Sequence, residues 1–198
     1  MHVGLIGGIG PAATEYYYRG LVRQSPLTGP LELTIAHADM GALLRNLASS
    51  DRDKQADIFR VHVEQLSGAG AAVAAVTSIA GHFCFRELEA VSPLPLVSAL
   101  NSVSDELQQR GLSRVGLLGS SVAMESGLYG AITGIEIVLP QGDVLRNVSD
   151  EYFAMAKAQM ATTAQRELFF EAGARLCSEQ GAEVVVLAGT DMFLAFAG

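Results

Sequence analysis

Positive charge and cysteine are both scarce in this 198-residue sequence, and each scarcity excludes something. Thirteen Lys and Arg stand against 21 Asp and Glu, for a formal net charge of −8 and a pI near 4.9. No basic cluster interrupts that balance. A protein held to phosphate backbones or anionic membranes by charge is thereby excluded. The acidic residues are scattered as on a solvated surface, not gathered into a tail. The two cysteines, Cys84 and Cys177, form neither a disulfide framework nor a metal motif, and a cytoplasmic setting fits. The opening MHVGLIGGIG lacks the charged n-region of a signal peptide. Charge is also missing from Gly68 to Phe85, 18 residues that approach the length of a membrane span. That stretch is rich in Gly, Ala and Ser and holds His82, and it reads as a strand followed by a helix. No metal, nucleic-acid or membrane partner is expected.

What the chain does have is apolar material, 49% of it, with 21 glycines and 6 prolines for tight turns. Apolar runs of strand length alternate with longer helical patterns. The strands are read at His2–Ile6, Leu31–His37, Ala71–Thr77, Leu94–Ser98, Arg114–Leu118, Glu136–Leu139 and Val184–Leu187. Helices are read at Pro11–Gln24, with Pro11 in the first turn, and at Asp51–Ser67 behind Asp51 as N-cap. Further helices are read at Ser102–Arg110, stopped by Gly111, at Tyr152–Lys157, and at Thr163–Glu179 before Gly181. Such alternation predicts an α/β protein with parallel sheets and helices on both faces.

The sequence also repeats itself. V3-G4-L5-I6-G7 returns as V115-G116-L117-L118-G119, an offset of 112 (115 − 3). The run from Gly70 to Ser78 returns from Gly181 to Gly189, an offset of 111 (181 − 70). Two landmarks in register predict a duplicated unit, 1–100 followed by 101–198. Ligands of open parallel sheets bind beyond the carboxyl ends of strands. Two such Rossmann-like units, related by a pseudo-twofold and facing each other, would gather four strand ends around one cleft. Those ends are Gly7-Gly8, Thr77-Ser78, Gly119-Ser120 and Ala188-Gly189-Thr190. Ser78 and Gly189 are mates in this repeat.

The first turn, G7-G8-I9-G10-P11-A12-A13, has two readings. As G8-x-G10-x-x-A13 it matches a dinucleotide fingerprint, with Asp39 as a late acidic partner. As a plain strand-to-helix turn, its N–H groups would hold a small anion. Together with Thr14 and Tyr16-Tyr17, the turn resembles the opening of the aspartate/glutamate racemase superfamily, nearest its aspartate racemase branch. R114-V115-G116-L117-L118-G119-S120, G127-L128-Y129 and G134 to P140 resemble that family's middle segment.

The resemblance implies a two-unit enzyme that needs no pyridoxal phosphate or other cofactor, acts on a small amino or dicarboxylic acid, and forms a homodimer. It implies one cysteine after the third strand of each half, two thiols working on opposite faces of Cα. Here the first motif, Cys-Asn-Thr-Ala-His in the family, reads Ser78-Ile79-Ala80-Gly81-His82. The second, Gly-Cys-Thr-Glu, reads Ala188-Gly189-Thr190-Asp191. Ser78 and Gly189 therefore stand where thiols are expected, and a two-thiol mechanism is not supported. A serine hydroxyl cannot replace a thiol unaided. His82, one turn on, is read either as its base or as a structural residue.

Gly8, Ile9, Ser78, Ser120, Ser121, Gly189 and Thr190 are the candidate substrate contacts, and Ser78, His82 and Asp191 the candidate catalytic groups. Asp39 and Arg45 are read as belonging to a solvated loop and Lys157 as a surface residue, each with a ligand role as the alternative. Cys84, inside the next helix, and Cys177 are expected to be buried and structural. After L194-A195-F196-A197-G198 the resemblance implies a further strand and helix returning to the first unit. The chain is therefore read as truncated, as having a disordered tail, or as closing differently; an apolar end left exposed would be an aggregation or partner site. Three functions remain open: a small-acid-binding racemase relative with proton transfer next to a carboxylate, a non-catalytic binding homologue, and a dinucleotide-binding oxidoreductase. Restoring both thiols, Ser78→Cys with Gly189→Cys, is expected to yield racemisation if the cleft is otherwise intact.

Overall fold

The computed structural model describes residues 1–196, and for residues 26–28 the backbone alone. It divides into two compact units, Met1–Ala99 and Leu100–Gly198. The first runs β1 (His2–Gly7), α1 (Pro11–Thr28), β2 (Glu32–His37), α2 (Met40–Ala48), α3 (Arg52–Gly68), β3 (Val73–Val76), a 3-10 turn (Ala80–Cys84), α4 (Phe85–Val91) and β4 (Leu96–Val97). The second runs α5 (Ala99–Gln109), β5 (Arg114–Gly119), α6 (Ser121–Glu125), α7 (Gly127–Gly130), β6 (Glu136–Val138), α8 (Asp143–Ala158), α9 (Thr163–Gln180), β7 (Val184–Ala188), a 3-10 turn (Thr190–Met192) and α10 (Phe193–Phe196). Both sheets are parallel, in the orders β2-β1-β3-β4 and β6-β5-β7. Parallel sheets covered by helices are buried on both faces, which is why β1 and β5 read as continuous apolar runs.

The repeat survives in the packing. A Cβ on Gly4 of β1 would lie 2.9 Å from Leu66 Cδ1, and one on Gly116 of β5 would lie 2.9 Å from Leu176 Cδ1. Each glycine lets the long helix of its unit approach the central strand. Phe59 on α3 and Phe169 on α9 are both fully buried beside those leucines' helical stripe. Gly70 and Gly181 both take a left-handed backbone, φ 93° and 71°, the conformation glycine adopts without a Cβ penalty where a helix must turn into a strand. In both units the N–H two residues past that glycine donates to the head of the central strand, Ala72 to His2 and Glu183 to Arg114.

Capping explains the helix starts. Asp51 accepts the Lys54 N–H at α3, and Thr162 with Gln165 forms a reciprocal capping box at α9. Two expectations are corrected here, and the reading of an exposed apolar end is narrowed. Asp39 and Arg45 do not share a solvated loop, because Asp39 accepts the Ala42 N–H at 2.6 Å as the N-cap of α2 and Arg45 lies on that helix. Cys177 is exposed, since it lies one residue past Leu176 and so about 100° around the helix from the buried stripe. The apolar end is not left bare as far as Phe196. Arg166 donates to the Leu194 and Ala195 carbonyls at 2.9 and 2.8 Å, Ala195 is buried, and Phe196 packs on Phe170. Ala197 and Gly198 lie outside the described residues. Among the described residues no helix is long and apolar enough to cross a membrane, and the uncharged Gly68–Phe85 stretch is divided between β3 and a 3-10 turn.

Candidate functional site

In the first unit, β1 and β3 are paired neighbours, so their carboxyl ends lie side by side. Gly8 turns the chain out of β1 at φ 90°. A Cβ there would meet His37 Nδ1 at 2.5 Å and the Ala38 carbonyl at 2.7 Å, so both backbone and space require glycine. The Gly8 N–H donates to Thr14 Oγ1 at 3.2 Å, and the Thr14 and Thr77 hydroxyls lie 3.0 Å apart. Thr77 in turn donates to the Ile6 carbonyl. These bonds tie the first turn to the end of β3 and hold Ile9 and Ser78 in place, both buried.

His82 has both ring nitrogens engaged. Nδ1 lies 2.7 Å from the Ser78 carbonyl, and the Ala99 N–H donates to Nε2 at 3.2 Å. An N–H donor at Nε2 fixes the tautomer with the proton on Nδ1. Burial lowers the pKa of the ring, with the Ser78 hydrogen bond opposing, and Phe85 stacks on it. A neutral imidazole with no vacant nitrogen braces the main chain after Ser78. It has no site at which to accept the Ser78 proton. The Ser78 hydroxyl itself makes no hydrogen bond among the described residues. Cys84 closes the same 3-10 turn rather than lying inside α4, with its thiol pushed up to about 12 by burial, to which Glu87 adds. It stays protonated and unreactive.

In the second unit, Gly119 and Ala188 pair in register, so Ser120-Ser121 and Gly189-Thr190-Asp191 leave the sheet together. Ser120 caps α6 by accepting the Ala123 N–H, which leaves its own hydroxyl proton to give. The Ser121 N–H is spent on Ser149 Oγ of α8 at 2.9 Å. Tyr152, also on α8, is buried against Gly189. The Asp191 main-chain N–H donates to its phenol oxygen. Burial raises the Tyr152 pKa, and the nearby Asp191 carboxylate raises it further, so the phenol is neutral. Asp191 is itself buried.

Two parallel α/β units with tight, hydroxyl-bearing turns at their strand ends define a class of proteins that hold small ligands at those ends. Within that class the chain belongs to the Asp/Glu/hydantoin racemase family, whose family model matches residues 6–197. It is similar to a protein from Yersinia pestis assigned as an Asp/Glu racemase, with 25% identity over 98% of this chain and 87% of that one, and a TM-score of 0.84. An aspartate racemase homologue from Pyrococcus horikoshii OT3 shares the fold at 24% identity, with the same coverages and a TM-score of 0.80. The aspartate racemase of Picrophilus torridus shares it at 18% identity, 98% and 83% coverage, and a TM-score of 0.77.

The candidate residues thus fall into two groups. Gly8, Ile9, Ser78 and His82 come together in the first unit, and Ser120, Ser121, Gly189, Thr190 and Asp191 in the second. Asp39 caps α2 through Oδ1 and is exposed at the end of the turn after β2. Arg45 and Lys157 are exposed on α2 and α8. Sequence reasoning missed Thr14 and Ser149 as supports, and it missed Tyr152. Ser149 and Tyr152 share the buried stripe of α8, a polar interruption that a search for apolar spacing passes over.

Proposed function

We propose that this family member binds a small amino or dicarboxylic acid at its strand ends and does not racemise it by a pair of thiols. The observation that carries the reading is the chemistry at the two mated positions. Ser78 offers a hydroxyl with no hydrogen-bond partner among the described residues, and Gly189 offers no side chain at all. The groups left to contact a carboxylate are the Ser78 hydroxyl and the Ile9 main chain in the first unit, and the Ser120 hydroxyl and Thr190 in the second. Gly8 and Ser121 contribute by shaping the turns, since their N–H groups are already bonded. His82 positions Ser78 through its carbonyl and stays neutral. Asp191 is the remaining carboxylate able to take a proton next to a substrate carboxylate, so exchange through it would use one base and retain configuration. No cofactor is required by this chemistry.

The test is to incubate the protein with amino acids and dicarboxylates in D2O and follow each α-proton by NMR, with binding read in parallel as a thermal shift. Binding without exchange, or exchange with retention, is the expected result. Exchange with inversion would show two working bases and overturn the reading. Stabilisation by none of the compounds would remove the small acid as ligand.

A further inference from the structure

Gly189 has no backbone reason to be glycine. Its φ of −166° and ψ of 128° are extended geometry that any residue adopts. The reason is space. A Cβ at 189 would lie 2.5 Å from Tyr152 Cε2, 2.6 Å from Cζ and 2.7 Å from the hydroxyl oxygen. Contacts that short do not occur, and Tyr152 cannot easily retreat. Its ring is buried on α8 and its oxygen is held by the Asp191 N–H. The mated position in the first unit, Ser78, does carry a side chain.

We propose that Tyr152 is the residue that decides what the second unit can do. It fills the side-chain place of position 189 and closes the end of β7 to any acid–base group carried there. The inference deepens the small-acid reading, because it explains why only one half of the repeat keeps a side chain at this point. It also bears on the restoration of thiols at 78 and 189, which presumes that the site has room for both. A cysteine at 189 needs Tyr152 removed first.

The experiment compares Gly189→Cys, Tyr152→Ala and the two combined. Melting is followed by circular dichroism, and the new thiol by its reaction with a chromogenic disulfide, against Cys177 as the exposed internal reference. The single Gly189→Cys variant is expected to melt about 5–10 °C lower, the cost of overpacking in a chain of this size. Its thiol should react at least about ten-fold more slowly than Cys177, as a buried thiol does. In the double variant the new thiol should react and melting should recover relative to the sum of the single changes, because the two substitutions share one volume. A Gly189→Cys protein that melts like the parent with a freely reacting thiol would overturn the proposal. So would strictly additive melting shifts. Neither measurement uses a ligand, so this outcome is separate from that of the D2O experiment. If no acid binds but the two variants couple, the small-acid reading fails and the steric pair stands.

Discussion

At the end of β3 the chain keeps a serine and surrounds it with groups already bonded to main chain. At the end of β7 it has no side chain and admits a tyrosine from α8. The strands that lead to these two points are built alike, with a glycine under a leucine at the centre of each sheet. The two units therefore share their packing rules and differ at their strand ends. Packing constrains both halves equally, because each must bury the same kind of helix on the same kind of strand. A strand end is constrained only by what it must hold. The predictions that follow ask where equivalence between the units holds and where it breaks.

The largest effects should be symmetric. Phe59→Ala and Phe169→Ala each remove a fully buried ring from the corresponding helix. Each is expected to cost about 3–5 kcal/mol, read from chemical denaturation. A loss below about 1 kcal/mol at either position would show that its unit closes over the cavity. Next come Gly4→Ala and Gly116→Ala. Each new Cβ would press on a buried leucine at 2.9 Å, so about 1–3 kcal/mol should be lost at both. If one tolerates alanine and the other does not, the two helix approaches are not equivalent.

Much of this was legible in the sequence. The seven strands, their parallel pairing and the repeat follow from apolar runs and from motifs at matching offsets. The family followed from the turn after β1 and the run through Ser120. Short helices were not legible. α2 has apolar residues at helical spacing, Met40, Leu43, Leu44 and Leu47, but over only nine residues. The first half of α8 hides behind Ser149 on its buried face. The site was legible as positions but not as states. Nothing local in Gly189 points to Tyr152, which lies 37 residues earlier (189 − 152) and meets it only through the fold. Nor does the spacing of Ser78 and His82 reveal that the imidazole is consumed by the Ser78 carbonyl and the Ala99 N–H.

His82 tests the first strand end by pH as well as by substitution. His82→Phe keeps an aromatic ring on Phe85 but leaves the Ser78 carbonyl and the Ala99 N–H without their partner, a cost of about 1–3 kcal/mol. The parent protein should also lose stability on acidification. The folded state holds His82 neutral with a lowered pKa, whereas the unfolded chain takes up the proton near pH 6.5. The contribution is full above that unfolded value, erodes below it and is gone once pH has fallen through the folded value. The His82→Phe variant should lack this component. A parent and a variant with parallel stability-against-pH curves between about pH 5 and 7 would mean that the ring is not buried neutral.

The smallest effect is expected at Ser78, and it separates holding a fold from holding a ligand. Ser78 is buried, yet its hydroxyl has no hydrogen-bond partner among the described residues, and its carbonyl, not its side chain, receives His82. Ser78→Ala deletes a group the fold does not use, so stability should change by no more than about 0.5 kcal/mol. If the hydroxyl is kept for a bound acid, the affinity of any compound found in the D2O experiment should fall about 3- to 10-fold, the worth of one neutral hydrogen bond. A stable variant with unchanged affinity would make Ser78 as silent as Gly189 and leave the two strand ends alike. A variant destabilised by several kcal/mol would mean instead that the hydroxyl belongs to the packing. The mated positions 78 and 189 would then both be explained by space, with no ligand needed at either.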